Sequence, residues 1–385
     1  VEIGYKLASE EHGPLDLVCN ARQAEDAGFA FAMISDHYHP WTARQGESPF
    51  VWGVIGGISQ VTADLRLVTG VTCPTIRIHP GIIAQAAATA AVMMPGRFIL
   101  GLGSGENLNE HIFGDRWPPA PIRIEMLEEA VEVIRTLWKG GMQDYYGSFY
   151  TVENAQIFSL PEKLPPIYIA SEGPISASLA ARAGDGFINA GTNAEESLVV
   201  FRNSGGGDKP AYVEISVCWA ESEEEGQTTA YEQWPVPANR GELNRLLPTP
   251  VHYEQLAKMV TPEDVAEHVP SGPDAEVHIK KIEKRISMGF DHVCVHQIGH
   301  QQQEFMEFYL CGVEGAEREG SLRRGEVKAE PLLHFHTAQV FFMPEGSQMI
   351  LSYAAEVPVP ALSDEGPGTV RAPFRAYGSR IPLPC

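Results

Sequence analysis

Residues 35–41 have the sequence SDHYHPW and follow directly on residues 29–34, FAFAMI. Residues 35–41 are mostly polar. Residues 29–34 are a short apolar run, which is typical of a strand buried on both faces. Pro40 prevents that strand from continuing. An acid, an imidazole and an indole therefore lie together at the C-terminal end of a buried strand. Parallel α/β folds carry their chemistry at such ends.

Working outward from this stretch, strand-like and helix-like segments alternate along most of the chain. About eight strand–helix units are predicted, which is the number that a (β/α)8 TIM-like barrel requires, whereas a doubly wound sheet usually stops near six strands. The predicted strands are residues 2–7, 29–34, 65–74, 97–105, 167–171, 186–190, 212–220 and 291–297. The predicted helices are residues 15–28, 49–62, 80–94, 125–138, 176–183, 194–202, 278–288 and 303–309.

Two insertions and a tail interrupt or follow this alternation. Residues of about 141–165 are predicted to form a hairpin, and residues of about 221–272 an acidic, proline-rich and partly helical insertion. The barrel is predicted to occupy residues 1–311. Residues 312–385 continue no strand–helix pattern, and their mixed composition favours disorder; a small appendage and a shifted reading frame are the alternatives.

Composition narrows the classes of partner. The 385 residues carry a formal net charge of -22, which disfavours nucleic acid and anionic membranes as partners. The six cysteines form no CxxC pair, so reduced cysteines and a cytoplasmic location are expected, without a zinc site or a disulfide framework. His37 and His39 lack a third clustered ligand, so no metal is expected. No apolar run is long enough to span a bilayer.

Several titratable and aromatic side chains follow predicted strands and should converge at one end of a barrel. Carboxylates combined with imidazoles suit general acid–base catalysis. The structural alternatives are a buried Asp–His hydrogen bond, a core histidine at the last strand, a solvated Glu106, and a tight turn rather than a phosphate-binding turn at residues 103–105. The converging residues are Glu10, Asp36, His37, Trp41, Glu106 and His296.

The ordered motifs resemble the luciferase-like monooxygenase superfamily, and most closely its coenzyme F420-dependent oxidoreductases related to F420-dependent glucose-6-phosphate dehydrogenase. The resemblance covers residues 2–309 and stops before the tail. The motifs that carry it are GYKLASEE, SDHYHPW, TGVTCPTIRIHP, GLGSGENLNEH, PPIYIASEGP, DGFINAGT and VHQIGH.

The resemblance implies a barrel with insertions, usually a homodimer, that binds the deazaflavin F420 over the C-terminal ends of its strands. It also implies a bulge with a non-proline cis peptide at Gly70–Val71. The catalytic positions it implies are Glu10, His37, Trp41 and Glu106. The cofactor-binding positions are Asp36, Gly70, Val71, Cys73, Gly105, Asn109, Ser171, Glu172 and Thr192.

The expected reaction transfers a hydride between an alcohol or sugar hydroxyl carbon and carbon 5 of the deazaflavin. His37, oriented by a carboxylate, is a plausible hydroxyl base, and Trp41 can exclude water. Glu106 either protonates the cofactor ring or is itself the base, and the sequence leaves these two assignments open. Alternative functions are an FMN-dependent monooxygenase, a reductase that uses reduced F420, and a non-catalytic binding barrel.

The chain departs from the sugar-phosphate enzymes where they place basic residues around the substrate phosphate. Asn193 follows the sixth predicted strand, and Glu267 and His268 stand before the last barrel helix. A phosphate dianion is disfavoured beside Glu267, so a neutral sugar, alcohol or hydroxy-lipid is the expected substrate. Asn193, His268 and His296 are the predicted substrate-binding residues.

Overall fold

A computed structural model describes residues 1–191, 193–235 and 242–309. Its eight parallel strands close into a barrel, in the order β1-β10-β9-β8-β7-β4-β3-β2. The predicted (β/α)8 fold is therefore confirmed. Thr192 and the tail from residue 312 lie outside the described residues, so the tail boundary stays a prediction. The barrel strands are β1 (Glu2–Leu7), β2 (Phe31–Ile34), β3 (Arg66–Thr69), β4 (Phe98–Leu102), β7 (Ile167–Ala170), β8 (Gly186–Asn189), β9 (Ala211–Val217) and β10 (His292–Gln297).

Helices surround the barrel, and the two predicted insertions are present. The first insertion is an antiparallel hairpin of β5 (Gln143–Tyr146) and β6 (Thr151–Ala155). The second insertion contributes the helices α8 to α11. The helices are α1 (Pro14–Asp26), α2 (Val51–Val61), α3 (Pro80–Met93), α4 (Asn107–Glu110), α5 (Ala120–Leu137), α6 (Pro174–Ala183), α7 (Ala194–Phe201), α8 (Glu223–Gln233), α9 (Leu243–Leu246), α10 (Pro250–Ala257), α11 (Pro262–Ala266) and α12 (Ala275–Ser287). Residues 302–309 are helical as well.

The strands are apolar throughout because both of their faces are buried. Alternate residues point into the barrel or outward to the helices, as successive side chains of a strand must. All four residues of β2 are buried, for example. The outward side chains join those of the helices in the larger core cluster. The side chains that fill the barrel interior are Phe31, Met33, Val68, Ile99, Tyr168, Ile188, Tyr212 and Cys294.

The structure corrects the sequence predictions at three places. Helix α5 begins at Ala120, five residues before its predicted start, because Pro121 favours the first helical turn. The single turn α4 was not predicted, since four residues are too few to show a helical period. Cys19 is disulfide-bonded, so the prediction of reduced cysteines was wrong there. Cys73, Cys218 and Cys294 are free thiols. Within the described part of the chain, no helix could span a membrane.

Candidate active site

A buried carboxylate–imidazole pair lies where β1 and β2 end. The Glu10 Oε1 atom is 3.2 Å from His37 Nδ1, and the side chains are 3% and 11% exposed. The other oxygen, Oε2, accepts a hydrogen bond of 2.6 Å from the Ser35 hydroxyl. Burial raises the pKa of Glu10, but His37, Lys6 and the Ser35 hydrogen bond outweigh it and leave that pKa below its usual value. Glu10 is therefore held ionised, with the imidazole oriented beside it.

Trp41 forms one wall beside this pair. Its ring meets the His37 ring edge-on, with 5.2 Å between centroids, and meets Tyr253 of α10 edge-on at the same centroid distance. Tyr253 is buried, and its pKa is raised by burial and by the nearby charge of Glu106. Three of the predicted catalytic residues, Glu10, His37 and Trp41, are therefore joined by successive contacts, which continue to Tyr253.

Glu106 lies immediately before α4, and Gly105 before it adopts a left-handed conformation with φ +81°. A Cβ on Gly105 would lie 2.8 Å from Cγ of Glu110, so this turn requires glycine. The Cys73 thiol lies close enough to Glu106 for the charge of that carboxylate to affect its pKa. Burial raises the pKa of the Cys73 thiol, and Glu106 and Glu110 raise it further.

Asp36 does not pair with its sequence neighbour His37; its carboxylate belongs to a separate buried network. Its Oδ1 accepts a hydrogen bond of 2.8 Å from Arg77 Nη2, and its Oδ2 one of 2.7 Å from the Thr72 hydroxyl. Arg77 Nε also lies 3.6 Å from Glu110 Oε1. Burial lowers the pKa of Arg77, but the two carboxylates outweigh it and raise that pKa. Arg77 and Glu110 were not singled out from the sequence.

A second charged pair below the site was also missed. Lys6 of β1 donates hydrogen bonds from Nζ to Glu214 Oε2 of β9 at 2.7 Å and to the carbonyl of Gly70 at 3.1 Å. Burial lowers the pKa of Lys6, but Glu214 and Glu10 outweigh it and raise that pKa. The alternation of inward and outward residues along β1 could have indicated this pair. A lysine at an inward position of a buried strand requires an acidic partner.

Three of the predicted cofactor positions lie after β3 and in α4. Gly70–Val71 is a cis peptide bond, as the resemblance implied. Asn109 is buried; its Oδ1 accepts from the backbone N–H groups of Tyr38 and His39 at 2.8 and 3.0 Å. Its Nδ2 has no partner among the described residues.

Ser171 and Glu172 lie between β7 and α6. The Ser171 hydroxyl lies 2.9 Å from the Ser176 hydroxyl and donates to the carbonyl of Gly173 at 2.9 Å. Glu172 forms an ion pair with Arg245 of α9. This pair connects the second insertion to the strand ends.

The three predicted substrate-binding residues lie in different environments. His296 is fully buried, and its Nε2 is 3.1 Å from Glu11 Oε2. Asn193 is exposed and precedes α7; its Nδ2 donates to the Glu172 carbonyl over 3.4 Å. His268 is exposed, with Nδ1 2.9 Å from the Asp264 carbonyl, so its ring lies on the surface. The structure thus joins only His296 to a buried pair.

Comparison with known proteins agrees with this geometry. The sequence profile of the luciferase-like monooxygenases matches residues 4–292. The F420-dependent glucose-6-phosphate dehydrogenase of Microbacterium testaceum is 34% identical over 80% of this chain and 95% of its own length. The enzyme of the same name from Mycolicibacterium smegmatis is 33% identical over 82% of this chain and 97% of its own length.

A solved structure is similar over the same part of the chain. It is an F420-dependent secondary alcohol dehydrogenase in complex with an F420-acetone adduct, with a TM-score of 0.73 and 28% identity. The match covers 80% of this chain and 97% of that chain. Nearly the whole length of that chain therefore matches this one.

Proposed function

This chain belongs to the luciferase-like monooxygenase family, and from that premise we propose that it is a coenzyme F420-dependent oxidoreductase acting on a CH–OH group. The observation that carries the proposal is the buried Glu10–His37 pair beside Trp41, at the C-terminal ends of the strands. A binding barrel without catalysis requires no such pair, whereas oxidation of an alcohol requires a group that accepts the hydroxyl proton.

The residues of the chain fit this cofactor. The amide Nδ2 of Asn109 is buried without a partner among the described residues, and so is free to donate to a bound group. The cis peptide Gly70–Val71 follows directly on the end of β3. We propose that Asp36, Gly70, Val71, Cys73, Gly105, Asn109, Ser171, Glu172 and Thr192 hold the cofactor. When bound, the deazaflavin supplies a hydride acceptor at carbon 5.

The chain's own groups handle the proton and exclude water. His37, held by ionised Glu10, accepts the hydroxyl proton at Nε2, since Nδ1 faces the carboxylate. Glu106 is the second proton-handling group on the other side of Tyr253. Trp41 covers the His37 ring, which keeps bulk water away from the reacting carbon. The same groups serve the reverse direction, in which the enzyme reduces a carbonyl.

Fluorescence titration with oxidised F420 and with FMN tests the cofactor. We expect tighter binding of F420, because this chain's relatives of highest identity named above depend on that cofactor. The titrations use the full chain at one ionic strength, so the only difference between them is the flavin. Tighter binding of FMN would favour the alternative of an FMN-dependent monooxygenase.

The substrate is expected to be a neutral alcohol or sugar rather than glucose 6-phosphate. Asn193 and Glu267 stand where the sugar-phosphate enzymes place basic residues, and neither carries positive charge. Glucose and glucose 6-phosphate form a matched pair of substrates, to be compared with a panel of neutral alcohols by F420 reduction. If glucose 6-phosphate is turned over at least as fast as every neutral alcohol, this substrate assignment is wrong.

We also propose that the enzyme is a cytoplasmic homodimer. Ile82, Val92 and Met93 are exposed apolar side chains of α3, which a second copy would cover. The free thiols of Cys73, Cys218 and Cys294 favour a reducing compartment, and the disulfide-bonded Cys19 is the observation against it. Light scattering on the full chain would give the mass of the dimer, and a monomer at micromolar concentration would contradict the first of these proposals.

A further inference from the structure

A second carboxylate–imidazole pair lies beside the first one. Glu11 directly follows Glu10 but pairs with a different histidine, His296 of β10, at 3.1 Å between Oε2 and Nε2. The two side chains are 1% and 0% exposed. The other Glu11 oxygen, Oε1, accepts a hydrogen bond of 3.2 Å from the backbone N–H of Gly299. Both oxygens of Glu11 are thus fixed, and with them the orientation of the imidazole.

This arrangement determines which nitrogen of His296 carries the proton. Because Nε2 faces a carboxylate, Nε2 carries the N–H, and in that tautomer of the imidazole Nδ1 is an acceptor. Nδ1 is buried and has no hydrogen-bond partner in the described part of the chain. A buried acceptor without a donor is unfavourable, so a ligand that offers an O–H group is stabilised there.

Among the described residues, the side chains that contact the His296 ring are Glu11 and Trp234, and neither is a cation that could attract an anionic ligand. Trp234 meets the imidazole edge-on, with 4.5 Å between ring centroids. The buried ring of His12 lies nearby, and burial lowers its pKa in spite of Glu11, so His12 is neutral. A hydroxyl group therefore fits this position better than a phosphate or a carboxylate.

His296 is joined to the proposed catalytic residues through the aromatic wall. Trp234 belongs to a buried cluster with Cys218 and Ile298, and Trp41 packs against the same cluster. Trp41 in turn contacts His37. The two pairs, Glu10–His37 and Glu11–His296, thus start from consecutive residues, and both histidines contact this one aromatic cluster.

We propose that the Glu11–His296 pair is a hydroxyl-binding subsite, in which Nδ1 of His296 accepts a hydrogen bond from a second hydroxyl group of the substrate. The preferred substrates are then neutral diols and polyols rather than simple alcohols. This inference rests on the proposed alcohol oxidation, because it assigns the substrate class of that same site.

A matched pair of substrates tests the subsite in the F420-loaded enzyme. Cyclohexane-1,2-diol and cyclohexanol differ by one hydroxyl group. We expect kcat/KM to favour the diol by about tenfold or more, which is the size of one hydrogen bond to a buried group. His296→Phe should remove most of this preference, and Glu11→Gln should weaken it because the carboxylate no longer selects the tautomer.

His278→Phe is the matched control, because His278 is another buried histidine, on α12, whose Nε2 bonds the Gly272 carbonyl. It should leave the preference for the diol unchanged. If the wild-type enzyme does not prefer the diol, or if His296→Phe lowers kcat/KM equally for both substrates, the subsite is disproved. Failure of F420 itself to bind would instead contradict the proposed function.

Nitrogen NMR gives a readout that does not depend on turnover. The enzyme is labelled with ¹⁵N-histidine and loaded with reduced F420, which cannot accept a further hydride. The diol should shift the Nδ1 resonance of His296, identified by its loss in His296→Asn, and cyclohexanol should leave it in place. A resonance that stays in place at diol concentrations that saturate turnover would overturn the proposal.

Discussion

At the scale of the residue, the site depends on the separation of neighbouring side chains into different networks. Glu10 faces His37 and Glu11 faces His296, although the two glutamates are adjacent in the chain. Both glutamates lie in the turn after β1, in which the N–H groups of Glu11 and His12 donate to the Ala8 carbonyl, so one loop can hold two imidazoles. Asp36 and His37 separate in the same way after β2, and Asp36 pairs with Arg77 instead.

His37→Ala and Glu106→Gln are each expected to lower kcat by about a hundredfold or more, which is the usual contribution of a positioned acid or base. Both residues follow strands rather than fill the core, so the fold should tolerate the changes. F420 affinity should change little. Stopped-flow F420 reduction and fluorescence titration of each variant would measure the two quantities separately.

The control for these variants is His252→Ala, because His252 is an exposed histidine at the start of α10. It should retain full activity. Near-normal kcat in both His37→Ala and Glu106→Gln would reduce the Glu10–His37 pair to a structural role. A loss in only one variant would identify the essential acid or base, with water serving the other step.

The sequence was sufficient to predict which residues lie at the strand ends, but it did not predict the residues that pair with them. His37, Glu106 and Glu10 follow apolar strands, and that local pattern made them candidates. Lys6 and Glu214 pair across the barrel, 208 residues apart, and no local pattern shows such a contact. The carboxylate beside His37 was left unspecified by the sequence for the same reason, since three acidic residues stood within reach of it.

At the scale of the element, Arg77 links three segments of the chain. It lies in the segment after β3, donates a hydrogen bond to Asp36 after β2, and forms an ion pair with Glu110 of α4. Its side chain is only 5% exposed. The pairing of the strands fixes where each strand ends, but it does not fix the segments beyond. A buried ion network of this kind holds those segments in place relative to one another.

Arg77→Met is expected to lower the free energy of unfolding by about 3–5 kcal/mol, because it leaves two buried carboxylates without their cation. Arg135→Met is the matched control: Arg135 pairs with Asp185, but both side chains are more than 40% exposed. That pair should contribute at most about 1 kcal/mol. Urea unfolding of both variants, monitored by circular dichroism, would measure the difference. Equal losses would contradict the role assigned to the Arg77 network.

The elements themselves were predictable because buried parallel strands and amphipathic helices leave distinct periods in the sequence. β2, α1 and α6 begin or end within two residues of their predicted bounds. Larger differences occur at α4, a single turn that was not predicted, at α5, which begins five residues before its predicted start, and at β3, which ends five residues before its predicted end.

At the scale of the whole molecule, the barrel and its site lie within the first 309 residues. All eight barrel strands are there, and so are all of the predicted site residues, although Thr192 is not described. The helix of residues 302–309 closes this part of the chain: Phe305 and Met306 are buried in the core, and Gln302 accepts a hydrogen bond from Tyr5 of β1. The strand–helix pattern that organises the fold is thus complete before the tail begins.

Truncation after Gly312 should therefore leave F420 binding intact, because it removes no strand of the barrel and none of the proposed cofactor contacts. Fluorescence titration of the truncated and full chains would compare the two dissociation constants. Truncation after His300 is the control, since it also removes Phe305 and the partner of Tyr5, and it should lower the melting temperature markedly. If the chain ending at Gly312 keeps its circular dichroism spectrum but no longer binds F420, the tail completes the site. The barrel of residues 1–311 would then not be the functional unit.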